Sequence, residues 1–369
     1  MILLSSGIGN YIYSNGKKYS YFGGNNYLGL ANHPDVTEAS IQSIKRYGVN
    51  FSASRRTTGT ADIHLELENA LSVFKGREES VVFASGYQGN GILLDIFRND
   101  YSVIFMDQFA HPSITSNIPG NITNIQTYSH CDTDHLEKLL HKHKGSRPLI
   151  ITDGVFALTG EVAPLDKIYP LAEKYGAILI VDDAHSTGIL GKNGRGTFEH
   201  FNLPVTKNMY QTETMSKALG SYGGFISGDS ELINLIRNKS TTYQASTSLP
   251  PSIISAGIAS LSIIRKYPEL RTKVLYIAGK VRNRISLMGF QTTQVNTPII
   301  PLILSSQEKA RSLSLFLEEN DIIAPFVDYP GSQEKHMIRI TVSANHTIEQ
   351  AELLLENLKK WKSLNYGDM

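Results

Sequence analysis

The sequence predicts an α/β protein with one large, mainly parallel sheet and a smaller C-terminal α/β domain. Short, unbroken apolar runs recur between residues 80 and 182, and helical patterns lie between them. Such runs suit strands that are buried on both faces of a parallel sheet. The length of 369 residues is enough for two domains. In α/β sheets, ligands bind at the carboxyl ends of the strands, so we expect the functional residues there.

The composition is that of an ordinary globular protein, with 41% hydrophobic and 19% charged residues. A formal net charge of +1 gives no overall field that would attract nucleic acid or an anionic membrane. The single cysteine, Cys131, excludes an intrachain disulfide and is typical of a reducing compartment. No apolar stretch approaches the roughly 20 residues of a membrane span, and the N-terminus lacks a secretory signal. We therefore expect a cytoplasmic protein with no nucleic-acid partner and no membrane span.

The N-terminal part of the chain predicts an arm, a loop and two helices. Residues 1–22 alternate weakly and contain turn residues, as in a hairpin or an arm lying on another surface. The glycine-rich stretch Gly23–Leu30 predicts a loop that lies close to other atoms. The elements that follow are a helix from Pro34 to about Tyr47, a polar loop over Ser52–Thr60 and a helix over His64–Phe74.

Four predicted strands in the middle of the chain each run into a polar or glycine-containing turn. They are Ser80–Ala84 before Ser85 and Gly86, Ser102–Met106 before Asp107, Pro148–Thr152 before Asp153, and Ile178–Val181 before Asp182. A crossover helix is predicted over Pro164–Tyr175, and Met209–Met215 leads to a turn that contains Lys217. Polar residues at several strand ends are what a single active-site rim requires.

The C-terminal part predicts two helices and then a second α/β unit. The helices are Ser252 to about Lys266 and Leu270–Leu287, after the Pro250-Pro251 break. The α/β unit has strands over Pro298–Leu304 and Met337–Val342 and helices over Gln307–Asn320 and Thr347–Trp361.

The stretch Ala177–His185 joins a buried strand to two aspartates and a histidine. Adjacent carboxylates in a buried position are unfavourable unless they meet a cation, a metal or a protonated ring. Taken alone, Asp182 and Asp183 also suit a simple cap of the following turn. Further residues are needed to decide between a site and a turn.

Three other positions supply those residues. Lys217 lies between hydroxyl residues and glycines, and such a turn can bury a lysine and make its amine nucleophilic. Gly86 follows a strand and opens a helix, where free amides suit a phosphate. His111 lies just beyond another strand end. Each has an ordinary alternative: a solvated surface lysine, a glycine turn and a packed histidine.

Together these residues indicate pyridoxal phosphate chemistry. This cofactor needs a lysine for its Schiff base and an acidic partner for its ring nitrogen. It also needs a phosphate cup and often a ring stacked on its face. Asp182 precedes Lys217 by 35 positions, which is enough for the helix and strand of one sheet crossover.

The chain resembles the α-oxoamine synthases, a family of fold-type I (aspartate aminotransferase-like) pyridoxal phosphate enzymes, over nearly its whole length. The matching segments, in chain order, are Asn25–Ala31 with His33-Pro34, Ser54-Arg55 with Gly59, His64–Glu68, Ser85–Asn90, Asp107–Ser113, Gly160–Leu165, Asp182–His185, Gly188–Gly191, Gly194–Gly196, Thr214–Gly220, Ser246–Pro251, and Arg339 with His346-Thr347. The resemblance implies an N-terminal arm and substrate loop (1–40), a large cofactor-binding domain (41–250), connecting helices (251–289) and a small C-terminal domain (290–369).

The resemblance also implies residue roles. Lys217 is expected to form the Schiff base and to act as general acid/base, Asp182 to pair with the ring nitrogen, His185 with the 3′-oxygen, and His111 to stack on the ring. The residues expected at the phosphate are Gly86, Tyr87, Thr214 and Ser216, with Ser246 and Thr247 reaching the phosphate of the neighbouring subunit. Asn25 and Arg339 are expected to bind the substrate carboxylate, and no metal site is expected. Independently, an arginine inside an apolar strand needs an anionic partner, although a structural salt bridge would also provide one.

Some positions depart from the family pattern. Ala157 stands where a serine helps to bind the substrate carboxylate, and Glu213 stands where a glycine precedes the phosphate-binding threonine. Gly24 and Asn26 replace a common serine and aspartate, and Cys131 replaces an asparagine. The departures concern the substrate pockets rather than the cofactor residues.

The expected activity is condensation of a small amino acid with an acyl thioester, usually with loss of CO2, by a homodimer with shared active sites. Among family members, 8-amino-7-oxononanoate synthase of biotin synthesis is the expected activity for a chain of this length. A glycine C-acetyltransferase and a serine palmitoyltransferase or autoinducer synthase-like enzyme are the alternatives. No arginine precedes Asn25 to pair with a pimeloyl carboxylate. An aminotransferase and a non-catalytic relative are alternatives of a different class.

Overall fold

The computed structural model describes residues 2–327 and 336–366. The strands are β1 Tyr11–Ser14, β2 Lys17–Tyr21, β3 Glu79–Phe83, β4 Val103–Asp107, β5 Ile125–Tyr128, β6 Pro148–Asp153, β7 Ile178–Asp182, β8 Met209–Thr214, β9 Gly224–Gly228, β10 Ile299–Leu304, β11 Ile322–Ile323, β12 Phe326–Val327 and β13 His336–Thr341. The helices are α1 Pro34–Tyr47, α2 Asp62–Lys75, α3 Tyr87–Ile96, α4 Pro112–Thr115, α5 Thr133–Lys142, α6 Leu165–Tyr175, α7 Thr197–His200, α8 Ser230–Lys239, α9 Thr241–Ala245, α10 Pro251–Lys266, α11 Glu269–Leu287, α12 Gln307–Glu319 and α13 Ile348–Tyr366. None of the described helices combines the length and apolar character that crossing a membrane requires.

The chain divides into two compact units, and the larger one comprises residues 34–156 and 162–266. Its seven described strands form one sheet in the order β3-β9-β8-β7-β6-β4-β5. The pairs from β8 to β5 are parallel, whereas β9 is antiparallel to both β3 and β8. The predicted α/β class with a mainly parallel sheet is therefore confirmed.

The central strands of this sheet are buried on both faces. In β4 and β6, Ile104 and Ile151 belong to one hydrophobic cluster, while Phe105 and Ile150 belong to another. Successive side chains of a strand point to opposite faces, so the two clusters are the cores above and below the sheet. This arrangement explains why the strands appear in the sequence as continuous apolar runs.

Polar residues collect where the central strands end. In the register of the sheet, Asp153 at the end of β6 lies opposite Asp182 at the end of β7, and Asp182 lies opposite Thr212 of β8. Asp107 closes the neighbouring strand β4. The carboxyl edge of the sheet therefore carries several buried carboxylates side by side.

Two strands of the large sheet had no counterpart in the sequence prediction. β5 is a four-residue edge strand with only Ile125 and Tyr128 as large apolar residues. β9 has glycine at both ends, Gly224 and Gly228, and these glycines obscure its apolar centre. Neither segment has the long β-branched run by which a strand is identified from sequence.

The smaller unit comprises residues 1–33, 157–161 and 267–369. It contains two described three-stranded sheets, β1-β2-β11 and β10-β13-β12. In the second sheet β13 is central and antiparallel to both neighbours, and Arg339 lies opposite Pro301 of β10. Trp361 of α13 is buried and donates a hydrogen bond from Nε1 to Ser312 Oγ at 3.2 Å.

Candidate active site

Asp182 is held at the end of β7 by three hydrogen-bond donors. Its Oδ2 accepts from Asn90 Nδ2 at 2.6 Å and from Ser113 Oγ at 3.4 Å, and its Oδ1 accepts from Ala184 N at 3.0 Å. Asn90 is fully buried, and its own oxygen accepts from Thr212 Oγ1 at 2.8 Å. The carboxylate orientation is therefore fixed by neighbours on α3, on β8 and at α4.

His111 stands beside this carboxylate, at the N-terminus of α4. Its Nδ1 accepts from Ser113 N at 3.1 Å and lies 2.8 Å from Ser113 Oγ, while its backbone N donates to Asp153 Oδ2 at 3.0 Å. Burial lowers the pKa of the imidazole, and Lys217 lowers it further against the opposing effect of Asp182. Ser113 thus connects the ring of His111 to the carboxylate of Asp182.

Lys217 is half-buried in the turn between β8 and β9. Burial raises the pKa of the Asp153 carboxyl well above its usual range, Asp182 raises it further, and Lys217 opposes this shift. The ammonium of Lys217 acts on His111 as well, so these groups share one electrostatic environment. The turn requires Gly223 at a φ of 94°, a conformation that side chains rarely adopt.

The turn at Gly86 packs closely against Thr214. A Cβ on Gly86 would lie 2.7 Å from Thr214 Cβ and 2.8 Å from its Oγ1, so only glycine lets these two segments approach. Thr214 Oγ1 also lies 2.8 Å from Ser216 Oγ. Helix α3 begins at Tyr87, whose amide donates to Ser85 Oγ at 3.3 Å, and a helix N-terminus favours a phosphate. Two hydroxyls and a helix N-terminus are donors that fit the phosphate of pyridoxal phosphate.

The remaining expected cofactor residues lie in the same unit. His185 is buried in the turn that follows β7. Ser246 Oγ donates to Thr242 O at 2.6 Å, at the end of α9, and Thr247 is exposed and pairs with Ser54 in an isolated β-bridge. The exposed position of Thr247 leaves its hydroxyl accessible to another chain.

Arg339 has only neutral oxygen acceptors among the residues the structure describes. Its Nε donates to Ala157 O at 2.7 Å, Nη2 to Asn25 Oδ1 at 3.0 Å, and Nη1 to Thr341 Oγ1 at 2.9 Å and Gly24 O at 3.4 Å. The residue is only 9% exposed. A buried guanidinium without a carboxylate partner in this unit is suited to a carboxylate ligand. Asn25 and Arg339, predicted together, are in direct contact.

Glu213 introduces a charge into the core next to Thr214. Because side chains alternate along β8, Glu213 faces the opposite side of the sheet from Thr214 and meets Lys75 at the end of α2. Both side chains are about 1% exposed, and Lys75 Nζ also donates to Arg195 O. Burial raises the pKa of Glu213 to about 7, which Lys75 opposes. Glu213 thus forms a buried ion pair with Lys75.

Asp183 belongs to this second side of the sheet. Its Oδ1 accepts from Thr197 Oγ1 at 2.7 Å, and its Oδ2 accepts from Thr197 N at 2.9 Å and from Gln211 Nε2. It is fully buried. The two adjacent aspartates therefore have separate partners. Of the two, Asp182 contacts Ser113, which also contacts His111.

Three residues that contact Asp182 or His111 were not given a role from the sequence: Asn90, Ser113 and Asp153. Asn90 and Ser113 both lie inside matched segments, and Asn90 comes one helical turn after Gly86. A polar residue at that spacing faces the strand ends, which is a signal that could have identified it.

The chain is similar to known enzymes over almost its entire length. The family model for aminotransferase class I and II matches residues 17–358. The chain is 38% identical over 338 residues to 8-amino-7-oxononanoate synthase 1 of Bacillus velezensis, which covers 91% of this chain and 86% of that protein. It is 37% identical over 361 residues to 8-amino-7-oxononanoate synthase of Lysinibacillus sphaericus, covering 97% and 92%.

Solved structures are similar in fold as well. The serine palmitoyltransferase of Sphingomonas wittichii superposes with a TM-score of 0.92 at 26% identity, covering 98% of this chain and 92% of that one. A further solved chain, described as SPT with PLP internal aldimine, has a TM-score of 0.92 at 25% identity, covering 100% and 94%.

Proposed function

The chain belongs to the class I and II aminotransferase family and, within it, to the α-oxoamine synthases of fold-type I, and from that premise we propose that it is an 8-amino-7-oxononanoate synthase. The reaction joins alanine to a pimeloyl thioester and releases CO2 and the free thiol. Relatives of that name are 36–38% identical to this chain, which supports this substrate pair. The observation that supports the reaction class is that Ser113 connects Asp182 to His111, and that Lys217 acts on the same imidazole.

Pyridoxal phosphate, when bound, supplies an aldehyde carbon and a protonated ring that accepts the electron pair of a carbanion. Lys217 would hold the cofactor through its amine and would move a proton at the substrate α-carbon. Asp182, whose carboxylate Asn90 and Ser113 hold in place, would keep the ring nitrogen protonated. His185 would hold the 3′-oxygen, and His111 would cover one face of the ring.

Phosphate binding is proposed for two groups of residues. Thr214 and Ser216 with the amides of Gly86 and Tyr87 belong to the same chain, and Ser246 and Thr247 reach the phosphate in the other subunit of a homodimer. Exposed apolar side chains support such a dimer: Ile41 and Ile44 lie on α1, and Leu65 and Val73 lie on α2. Burying these residues against a second copy would remove apolar surface from water.

Arg339 and Asn25 are proposed to bind the α-carboxylate of the amino acid. Arg339 carries a positive charge that its four neutral acceptors do not compensate. A carboxylate would take over part of the fork that now contacts Asn25 and Thr341. Ala157 supplies only its backbone oxygen here, so the carboxylate loses the hydroxyl that a serine would offer. We therefore expect the KM for the amino acid to be higher in this protein than in an Ala157→Ser variant.

A serine palmitoyltransferase-type activity is the second candidate, because the described serine palmitoyltransferases superpose with TM-scores up to 0.92. The two candidates use different amino acids. Loss of CO2 and release of thiol are common to both, so the amino acid distinguishes them. An aminotransferase would instead leave pyridoxamine phosphate and release no thiol.

The test is a spectral titration of the holoenzyme with alanine, glycine, serine and threonine, followed by thiol release from a panel of acyl thioesters. Alanine is expected to give the largest change in the visible band and the fastest thiol release with the pimeloyl thioester. No arginine precedes Asn25 to pair with the terminal carboxylate of a pimeloyl group. The panel therefore also includes thioesters that lack this carboxylate. A response to serine alone, with a long-chain acyl thioester, contradicts the proposal and supports the second candidate.

A further inference from the structure

Three potential metal-binding side chains meet beside the end of β4. Asp107 is the last residue of that strand, and His130 and Cys131 lie in the turn between β5 and α5. One ligand atom of each residue lies within 4.8 Å of the others. None of the three is among the expected cofactor residues, although Asp107 precedes His111 by four positions.

The backbone at Cys131 is strained. Its φ is 54°, in the left-handed region that asparagine tolerates and that other side chains rarely adopt. Cysteine is thus not the residue type that this backbone conformation favours. Strain of this kind is associated with function, because an unfavourable conformation persists only where something else favours it.

The oxygen and nitrogen ligands are already fixed in place. Asp107 is 1% exposed, and its Oδ1 and Oδ2 accept from Phe109 N and Cys131 N, each at 2.8 Å. His130 Nδ1 lies 2.9 Å from Asp107 Oδ1. Its ring packs on Phe109 at 4.5 Å and edge-on against Phe156 at 4.4 Å between centroids. Each carboxylate oxygen retains a lone pair beyond its amide contact.

The Asp107–His130 and His130–Cys131 spacings are close to those of a tetrahedral zinc site, and all three ligand atoms lie within 4.8 Å of one another. Cys131 Sγ lies 3.8 Å from His130 Nδ1 and 3.7 Å from Nε2. With the usual Zn–S and Zn–N bond lengths, sulfur and nitrogen ligands are about 3.5 Å apart, and nitrogen and oxygen ligands about 3.4 Å apart. Small movements therefore suffice: the Asp107–His130 contact opens by about half an ångström, and the thiol approaches by a few tenths.

We propose that Asp107, His130 Nδ1 and Cys131 Sγ bind a zinc-class divalent cation, with water at the fourth position. Thiolate and imidazole ligands favour zinc, whereas magnesium and calcium take oxygen ligands. The thiol loses its proton to solvent, and the imidazole keeps a single proton, on Nε2. The ion connects the end of β4 to the turn after β5, so its binding stabilises this edge of the sheet.

The test is a titration of the reduced holoenzyme with Co2+, which reports a thiolate ligand and tetrahedral geometry in its absorption spectrum. One ion per chain, a cysteine-to-cobalt charge-transfer band and intense bands in the red are expected, and Zn2+ should displace all of them. In Cys131→Asn, which places a residue that tolerates this backbone conformation, affinity should fall at least about 100-fold. Calorimetry in two buffers should show one proton released per ion.

Equal Co2+ affinity in wild type and Cys131→Asn contradicts the proposal. Such a result would mean that the ion binds elsewhere, for example to the cofactor phosphate, which the substitution does not change. Weak absorption bands of octahedral Co2+ contradict it as well. Asp107→Asn provides a second ligand variant, in which the same loss of affinity is expected. The cofactor band is recorded in the same samples, so failure of the metal site is distinguishable from failure of the proposed function.

Discussion

The buried pair Lys75–Glu213 should make stability depend on pH in a way that one substitution removes. Burial holds the pKa of Glu213 at about 7, compared with an ordinary value of 4.5. The folded protein therefore binds a proton more tightly than the unfolded chain does. Stability from this group is fully present below about pH 4.5 and is lost as pH rises through about 7. The shift in the pKa of Glu213, from 4.5 to about 7, corresponds to about 3 kcal/mol in the free energy of unfolding.

The substitution is Glu213→Gln, which keeps the shape of the protonated side chain and cannot ionise. We expect the free energy of unfolding of wild type to fall by about 3 kcal/mol relative to the variant between about pH 4.5 and about pH 8. Urea denaturation at fixed concentrations of protein and pyridoxal phosphate measures this difference, because ligand and subunit association affect both proteins alike. Parallel pH profiles for the two proteins would refute the reasoning.

Two controls define the origin of the effect. Lys75→Met leaves an ionised Glu213 without its partner at high pH and should reduce stability by about 3–5 kcal/mol. The exposed pair Lys174–Glu137 is the matched surface case, with both side chains more than 40% exposed. Glu137→Gln should leave both the stability and its pH profile close to those of wild type, because solvent screens the exposed pair.

Further substitutions test the site directly. Arg339→Lys should raise KM for the amino acid at least about tenfold with the cofactor band intact, because lysine cannot replace a bidentate guanidinium; a KM that is unchanged in steady-state kinetics would argue against carboxylate binding. Asn90→Ala should lower kcat about tenfold or more, since the carboxylate of Asp182 loses its 2.6 Å donor, and equal kcat values in the two proteins would remove that role. Gly86→Ala should weaken cofactor binding in a pyridoxal phosphate titration, because the added Cβ would lie 2.7 Å from Thr214. The matched control, Gly120→Ala, meets no atom within 4 Å and should bind normally.

Much of the fold was evident in the sequence because its central strands are buried on both faces. The unbroken run Ile178–Asp182 could be read as a strand for that reason, and the polar residues after such runs indicated the site edge. The strands β5 and β9 were missed, because short or glycine-bounded strands carry little hydrophobic signal. β5 pairs with the preceding strand β4, whereas β9 pairs with the preceding strand β8 and with β3, which is distant in the sequence.

The site was predictable where residue type alone limits the chemistry. A lysine in a hydroxyl- and glycine-rich turn and an aspartate at a strand end are such cases. The support for Asp182 by Asn90 and Ser113 was not predictable, since asparagine and serine are common residues and only the fold brings them to the carboxylate. The same holds for Asp107, His130 and Cys131, whose first two members are 23 positions apart.

The most direct measurement is the ratio of CO2 to free thiol released from carboxyl-labelled alanine and a pimeloyl thioester. The proposed function predicts equal amounts from the wild-type holoenzyme, because each condensation loses one carboxylate and one thiol. Lys217→Ala should release neither and should lack the visible cofactor band. Thiol without CO2, or formation of pyruvate and pyridoxamine phosphate, would contradict a decarboxylative condensation.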